Sequence, residues 1–185
     1  MVFSWEKREQ KWRKELLSYA NGNVLEVGVG TGINFKFYPK GVNVTGTDMS
    51  ARVIEKAKVE AVSAGLSTTF IVSPIETLQL QRQSFDTIVS TFSLSAYENP
   101  DEALNQFGKW CKPGGTILLL EYGLSRYKIV GFVQQMINQR HYNKTGCHLD
   151  RDMAAIISGS SLKVKKREVR YAGAVHLVWA SPAPK

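Results

Sequence analysis

Glu26, Gly28, Gly30 and Gly32 are clustered in the run Asn23-Val24-Leu25-Glu26-Val27-Gly28-Val29-Gly30-Thr31-Gly32. Glycines at alternate positions let a main chain approach a ligand closely and permit positive φ. Val24, Leu25 and Val27 read as a short buried strand. The glycines then fill the loop leaving its carboxyl end, where open α/β sheets hold nucleotide-like ligands. The spacing argues against two familiar phosphate binders. A dinucleotide fingerprint needs its third glycine where Ile33 stands, and a Walker loop needs a Gly-Lys-Ser/Thr string that this chain lacks. A second acid, Asp48, ends the next predicted strand, about 20 residues past the glycine turn, where a carboxylate can accept both ribose hydroxyls. It can instead cap the following helix, unless Ser50 takes that role.

An acid followed by Gly-x-Gly-x-Gly resembles the first motif of the class I S-adenosylmethionine (SAM) methyltransferases. The resemblance implies that the glycines lie against the methionine end of SAM and that Glu26 orders the site around its amino group. It places Thr31, Met49, Thr91 and Phe92 around the cofactor with Gly28, Gly30, Gly32 and Asp48. Members of that family often read Asp-Ala-Glu after the third strand. Here Pro74-Ile75-Glu76 stands there, so Glu76 or the main chain beside Ile75 is expected to hold the adenine. Trp-Cys-Lys-Pro-Gly-Gly-Thr at 110–116 is also similar to the family. Ser-Thr-Phe-Ser-Leu-Ser at 90–95, Leu-Leu-Glu-Tyr at 119–122 and Gly-Cys-His-Leu-Asp-Arg-Asp at 146–152 resemble a narrower branch. That branch holds bacterial phospholipid N-methyltransferases and animal thiol S-methyltransferases. The animal enzymes carry a hydrophobic N-terminal anchor, and a histidine where Tyr122 stands.

The resemblance implies a SAM-dependent methyltransferase that leaves S-adenosylhomocysteine as product. Its acceptor would be a small molecule or a lipid headgroup with an N, S or O nucleophile. A non-catalytic SAM-binding module is the alternative, followed by an NAD-dependent oxidoreductase. Methyl transfer requires alignment and desolvation, and a base only if the nucleophile arrives protonated. Tyr97, Glu121 and Tyr122, near the carboxyl ends of strands four and five, are candidate catalytic groups. His141 and His148 fall in an expected loop over 141–150. The tyrosines serve equally well as pocket wall, and the histidines as a solvated loop.

The elements that must position these residues alternate strand and helix. Helices are expected over 4–20, 34–38, 50–64, 99–110, 129–140 and 151–158, with Asn21-Gly22 capping the first. Strands are expected over 24–27, 42–47, 68–73, 85–91 and 116–121. An antiparallel hairpin over 162–170 and 174–180 closes the pattern. The implied fold is the Rossmann-like class I methyltransferase α/β sheet: seven strands in order 3-2-1-4-5-7-6, with strand seven antiparallel. One domain spans 1–185, with a core over 23–182 and an N-terminal helix over 1–20. Trp5, Trp12, Leu16 and Tyr19 mark the apolar face of that helix, and Lys7, Arg8, Lys11, Arg13 and Lys14 its basic remainder. It is expected to act as a lid with Trp5 and Trp12 turned inward, or as an interfacial helix.

At 185 residues and 43% hydrophobic, the chain has enough apolar material for one full core. The net charge of +8 suits solubility or an anionic membrane surface. Nucleic acid is not expected as a specific partner, since no such motif accompanies the charge. Cys111 and Cys147 form no metal or redox spacing, which suggests a reduced cytoplasmic setting, peripheral to a membrane if the first helix is interfacial. No metal ligands are expected, and the sequence does not speak to oligomeric state.

Overall fold

The computed structural model describes residues 2–183, with side chains from Trp5 onward. Its sheet has the order β3-β2-β1-β4-β5-β7-β6. The strands are β1 (Asn23–Val27), β2 (Asn43–Asp48), β3 (Ser67–Val72), β4 (Phe85–Thr91), β5 (Cys111–Tyr122), β6 (Lys163–Arg170) and β7 (Val175–Ser181). The first five pair in parallel, and β7 runs antiparallel to both β5 and β6. The expected order and polarity are therefore present. Lysine-rich β6 lies at one edge, where charge discourages further strand pairing.

Side chains alternate across the sheet because successive strand residues point to opposite faces. Val24, Leu118, Leu120, Leu177 and Trp179 pack on one face with α1 (Val2–Leu17) and α2 (Ala51–Ala64). Leu25, Ile117, Leu119 and Val178 pack on the other with α3 (Pro100–Trp110) and α5 (Met153–Gly159). The chain steps outward from β1 through β2 to β3, then returns to β4 on the far side of β1. That reversal leaves a crevice at the carboxyl ends of β1 and β4, the usual ligand position in an open α/β sheet.

Three boundaries differ from expectation by more than two residues. α1 stops at Leu17, not at Ala20, and Tyr19 is exposed beyond it. The chain must turn there to enter β1: the Tyr19 and Ala20 amides form tight bonds to the Leu16 and Leu17 carbonyls. The buried Thr87 hydroxyl then exchanges hydrogen bonds with both main-chain groups of Asn21. Second, residues 112–115 lie inside β5, where the β4 pairing jumps from Phe85–Cys111 to Thr87–Thr116. Third, α4 (Lys128–Thr145) runs five residues past its expected end at 140, so His141 is helical and not in a loop. Nothing in 141–145 breaks a helix, and Gly146 ends it in a left-handed cap, φ 73°.

Candidate cofactor site and adjoining pocket

Gly28, Gly30 and Gly32 all have positive φ, but they meet different surroundings. A Cβ on Gly28 would lie 2.7 Å from the Ser93 Cβ, and one on Gly32 2.6 Å from the Phe35 ring. A Cβ on Gly30 would meet nothing within 4 Å, so the open side of the loop is at Gly30. The Gly30 amide donates to Asp48 Oδ2 (3.1 Å), and the Ser50 amide to Asp48 Oδ1 (3.0 Å). Asp48 thus ties the glycine loop to the start of α2 instead of standing free or capping within the helix. Each oxygen keeps acceptor capacity for a further donor.

Glu26 is 1% exposed and accepts from Asn34 Nδ2 (2.7 Å) and Tyr38 OH (2.8 Å). Arg13 completes this network from α1. Its Nη1 donates to Asn34 Oδ1 (2.7 Å) and Thr91 Oγ1 (2.8 Å), and its other nitrogens reach Glu9. The guanidinium also stands 5.1 Å from the Phe92 ring centroid. The sequence places Arg13 in the basic remainder of α1, outside its apolar face, yet it is buried. The signal was available: helical spacing places it among Glu9, Leu16 and Leu17, next to the apolar stripe. Thr91 turns its hydroxyl into this network, away from the open crevice.

At the ends of β4 and β5, Glu121 is fully buried and accepts from Ser90 Oγ (2.6 Å) and the Leu94 amide (3.2 Å). It fixes the turn after β4, where Phe92 adopts φ 54°, an unusual state for an aromatic residue. The Tyr97 hydroxyl is buried near Ser93 with no well-formed hydrogen bond among the described residues, and it lies 3.0 Å from where a Gly28 Cβ would stand. Burial pushes the Tyr97 phenol well above its ordinary range, so it stays protonated and keeps an O–H to donate near neutral pH.

Burial pushes Glu26 and Glu121 up to about 7, despite hydrogen bonds that favour their charged forms. Burial pulls His176, on β7 opposite Glu121, down to about 4. The raised glutamates stabilise the fold below their unfolded value of 4.5, and that contribution is lost as pH rises through 7. The depressed histidine acts oppositely, weakening the fold as pH falls from 6.5 toward 4. Two glutamates outweigh one histidine, so the ligand-free protein should melt several degrees higher at pH 5.5 than at pH 8. Glu121→Gln should flatten part of that slope; a melting temperature rising steadily to pH 8 would reverse the assignment.

Tyr122, His141 and His148 meet at a pocket of about 400 Å³, together with Trp5, Phe92, Ser95, Cys147, Leu149 and Tyr171. The His148 amide donates to the Ser95 carbonyl (3.0 Å), and its ring stacks on Tyr142 at 4.3 Å. Glu121 and Tyr97 do not line this pocket. Tyr171 was not foreseen. It opens the four-residue β6–β7 turn with φ 47°, followed by Ala172 at 52° and Gly173 at 80°, a run of left-handed backbone in which the Gly173 amide donates to the Arg170 carbonyl. That turn sets the Tyr171 ring 4.7 Å from Trp5. Burial also raises the Tyr122 phenol.

The remaining expected cofactor residues are more dispersed. Met49 is 73% exposed, Ile75 is half-buried, and Glu76 is exposed with its carboxylate near the Glu98 amide. Thr31 borders a separate hollow with Ile33, Lys36 and Glu60. A larger cavity, about 670 Å³, lies at the amino ends of β4 and β5 beside Arg82, Lys109 and Lys163, remote from the glycine loop.

A glycine loop at the β1–β4 reversal, an acid at the end of β2, and this strand order with antiparallel β7 define a class I SAM-dependent methyltransferase fold. The chain belongs to the methyltransferase-domain family, whose model matches residues 25–119. SAM is the methyl donor of that class. The mitochondrial methyltransferase OMS1 of Saccharomyces cerevisiae is 31% identical over 88% of this chain, which spans 39% of that protein's length. A phosphatidylethanolamine N-methyltransferase of Cereibacter sphaeroides is 26% identical, with 88% of this chain and 82% of the enzyme aligned. The human thiol S-methyltransferase TMT1B is 31% identical over 80% of this chain and 63% of its own length. Among solved structures, a SAM-dependent methyltransferase from Aquifex aeolicus shares the fold with TM-score 0.67 at 16% identity, covering 93% and 88% of the two chains.

Proposed function

We propose that this chain methylates an amphipathic acceptor, a lipid or lipid-like small molecule whose nucleophilic headgroup enters the pocket beside Phe92. The observation that carries this reading is the lining of that pocket. Trp5, Phe92, Tyr122 and Tyr171 form an aromatic wall adjoining the end of β4, a surface suited to apolar groups and to cationic headgroups. A relative named for phosphatidylethanolamine methylation aligns over most of both chains, which supports an amine headgroup.

The residues of the crevice fit the cofactor. Gly30 leaves a cradle that a side chain would fill, Asp48 retains acceptor capacity for ribose hydroxyls, and the buried Tyr97 hydroxyl can donate to the ligand. Glu26, through Asn34 and Tyr38, fixes the loop around the amino end. SAM supplies an electrophilic methyl group on sulfur, which an in-line lone pair accepts. The protein's own part is to align that lone pair and exclude water. Glu121 has both carboxylate oxygens engaged in holding the β4 turn, which makes it a positioning residue. Tyr122, His141 and His148 are among the polar groups that line the pocket for an acceptor headgroup. A thiol acceptor is the second reading, since a thiol near pKa ~8.5 is already partly thiolate near neutral pH and needs little help, while the Tyr122 phenol is held protonated.

The test is labelled-methyl transfer from SAM to paired acceptors: dispersed phosphatidylethanolamine against free ethanolamine, and an alkyl thiol against a hydrophilic thiol. Turnover should favour the amphipathic member of a pair; preference for the hydrophilic members would overturn the reading. Tyr171→Ala should raise the acceptor KM about tenfold, the scale of one aromatic contact. S-adenosylhomocysteine affinity should stay constant in that variant, and an unchanged acceptor KM would remove Tyr171 from the site.

A further inference from the structure

The polarity of α4 is inverted relative to a helix packed on a core. Its inward stripe is Gly131, Gln134, Asn138 and His141, which recur at helical spacing and are the least exposed residues of the helix. This stripe docks by hydrogen bonds. Gln134 accepts the Ser125 amide (2.8 Å) and donates to the Gly123 and Leu149 carbonyls (3.1 and 3.2 Å), while Asn138 accepts the Leu149 amide (2.7 Å). Gly131 allows a close approach, for a Cβ there would lie 3.1 Å from the Ser125 carbonyl oxygen. The outward face is apolar. Ile129 is 83% exposed, Phe132 62%, Val133 49%, Met136 69% and Ile137 47%. Large side chains gathered on one exposed face mark an interaction surface.

The charge around this face selects the partner. No acid occurs in α4, and Arg126, Lys128, Arg140 and Lys144 lie in or beside it. None of the ion pairs among the described residues involves these four. Arg140 and Lys144 continue the apolar face into its last turns, so one side of the helix is apolar at its start and cationic at its end. That is the arrangement of a helix lying in a bilayer interface, with apolar side chains below the headgroups and cations among anionic lipids. Among the described residues no helix is long and apolar enough to cross a membrane, so the contact would be peripheral.

We propose that the outward face of α4 seats this protein on an anionic lipid bilayer. α4 also walls the aromatic pocket through His141, so seating it brings that pocket to headgroup level. The surface is independent of the acceptor reading: membrane binding and acceptor choice can fail separately. In α1, by contrast, Trp12 is buried and Trp5 turns toward Phe92, Tyr122 and Tyr171. The interfacial role considered for that helix passes to α4.

The experiment is co-sedimentation of the full chain with vesicles of phosphatidylglycerol and phosphatidylcholine, against phosphatidylcholine alone. Binding should be at least about tenfold stronger on the anionic vesicles and should weaken with salt. A triple variant, Ile129→Ser, Phe132→Ser and Met136→Ser, should lose that binding about tenfold or more while keeping S-adenosylhomocysteine affinity and its melting temperature. In a Phe132→Trp variant, fluorescence should shift blue on anionic vesicles and be quenched by brominated lipid. Absence of vesicle binding by the parent chain, or equal binding by the triple variant, would overturn the proposal. So would a dimer in solution that the triple variant converts to monomer, which would assign the face to a second copy of this chain. Lipid methylation without vesicle binding would overturn the surface and leave the acceptor reading standing.

Discussion

Arg13→Ala should lower folding stability by about 2–4 kcal/mol, a loss of roughly 5–15 °C in melting temperature for a domain of this size. The guanidinium is buried and donates to Glu9, Asn34 and Thr91. Truncation leaves the Asn34 and Thr91 oxygens with one fewer partner in a place water does not reach. It also removes the cation nearest Glu26. The full penalty for breaking a buried ion pair does not apply, because Glu9 is partly exposed and can recover water. Arg13→Lys should rescue little, since one ammonium cannot reach Glu9, Asn34 and Thr91 in the guanidinium's fork geometry. S-adenosylhomocysteine affinity should fall in parallel, because Asn34 orients Glu26 and Thr91 ends β4. Lys11→Ala, at an exposed position of the same helix, should stay within about 0.5 kcal/mol of the parent. A melting temperature within 2 °C of the parent in Arg13→Ala would show that the network contributes little.

The sheet was legible because its signals were local. Runs of β-formers, glycine turns and strand-ending acids occur at the spacing that one βαβ unit needs, so strand order followed from the resemblance and was found in the structure. The glycine loop and Asp48 were legible for the same reason. Arg13, Phe92 and Tyr171 were harder to assign because their roles depend on contacts between distant segments. Arg13 joins Thr91 across 78 positions, and Tyr171 meets Trp5 only once the hairpin has folded back over α1. α4 illustrates a different limit. Val130, Val133 and Ile137 have the spacing of a core face, yet they are 38%, 49% and 47% exposed, and a polar stripe faces inward instead. Periodicity reports that a helix has two faces and says nothing about which one the domain covers.

The first helix also changes what a truncation can reveal. Removing residues 1–18 would take Trp12, Leu16 and Leu17 out of the core along with Arg13. Lost activity after such a deletion would report unfolding as readily as a missing lid. Trp5 is the residue that separates the two, since it contacts the pocket aromatics from the start of the helix. Phe92 and Tyr171 both hold left-handed backbone conformations and both border that pocket. Strain of this kind persists only where surrounding structure enforces it. Here Glu121 holds the turn carrying Phe92, and the β6–β7 hairpin holds Tyr171.

Asp48→Ala should weaken S-adenosylhomocysteine binding by about 1.5–3 kcal/mol for each ribose hydrogen bond lost, or roughly ten- to 150-fold per bond before non-additivity trims the sum. The substitution also strips the Gly30 and Ser50 amides of their acceptor, so part of the loss will come from a looser glycine loop. A ligand without ribose hydroxyls separates the two contributions. If Asp48 holds the ribose, 2′,3′-dideoxy-S-adenosylhomocysteine should bind the parent far more weakly than the natural product does. The same two ligands should bind Asp48→Ala almost equally, because the carboxylate that distinguished them is gone. If the aspartate only ties the loop to α2, the variant should weaken both ligands by the same factor and the difference between them should persist. Asp48→Asn refines the result: it keeps one acceptor oxygen for an amide but presents a donor where the second ribose hydroxyl needs an acceptor. It should therefore preserve more of the loop than Asp48→Ala while losing most of the ribose discrimination. Calorimetric titration of both ligands against all three proteins decides the matter, and undiminished discrimination in Asp48→Ala would mean that the ribose is held elsewhere.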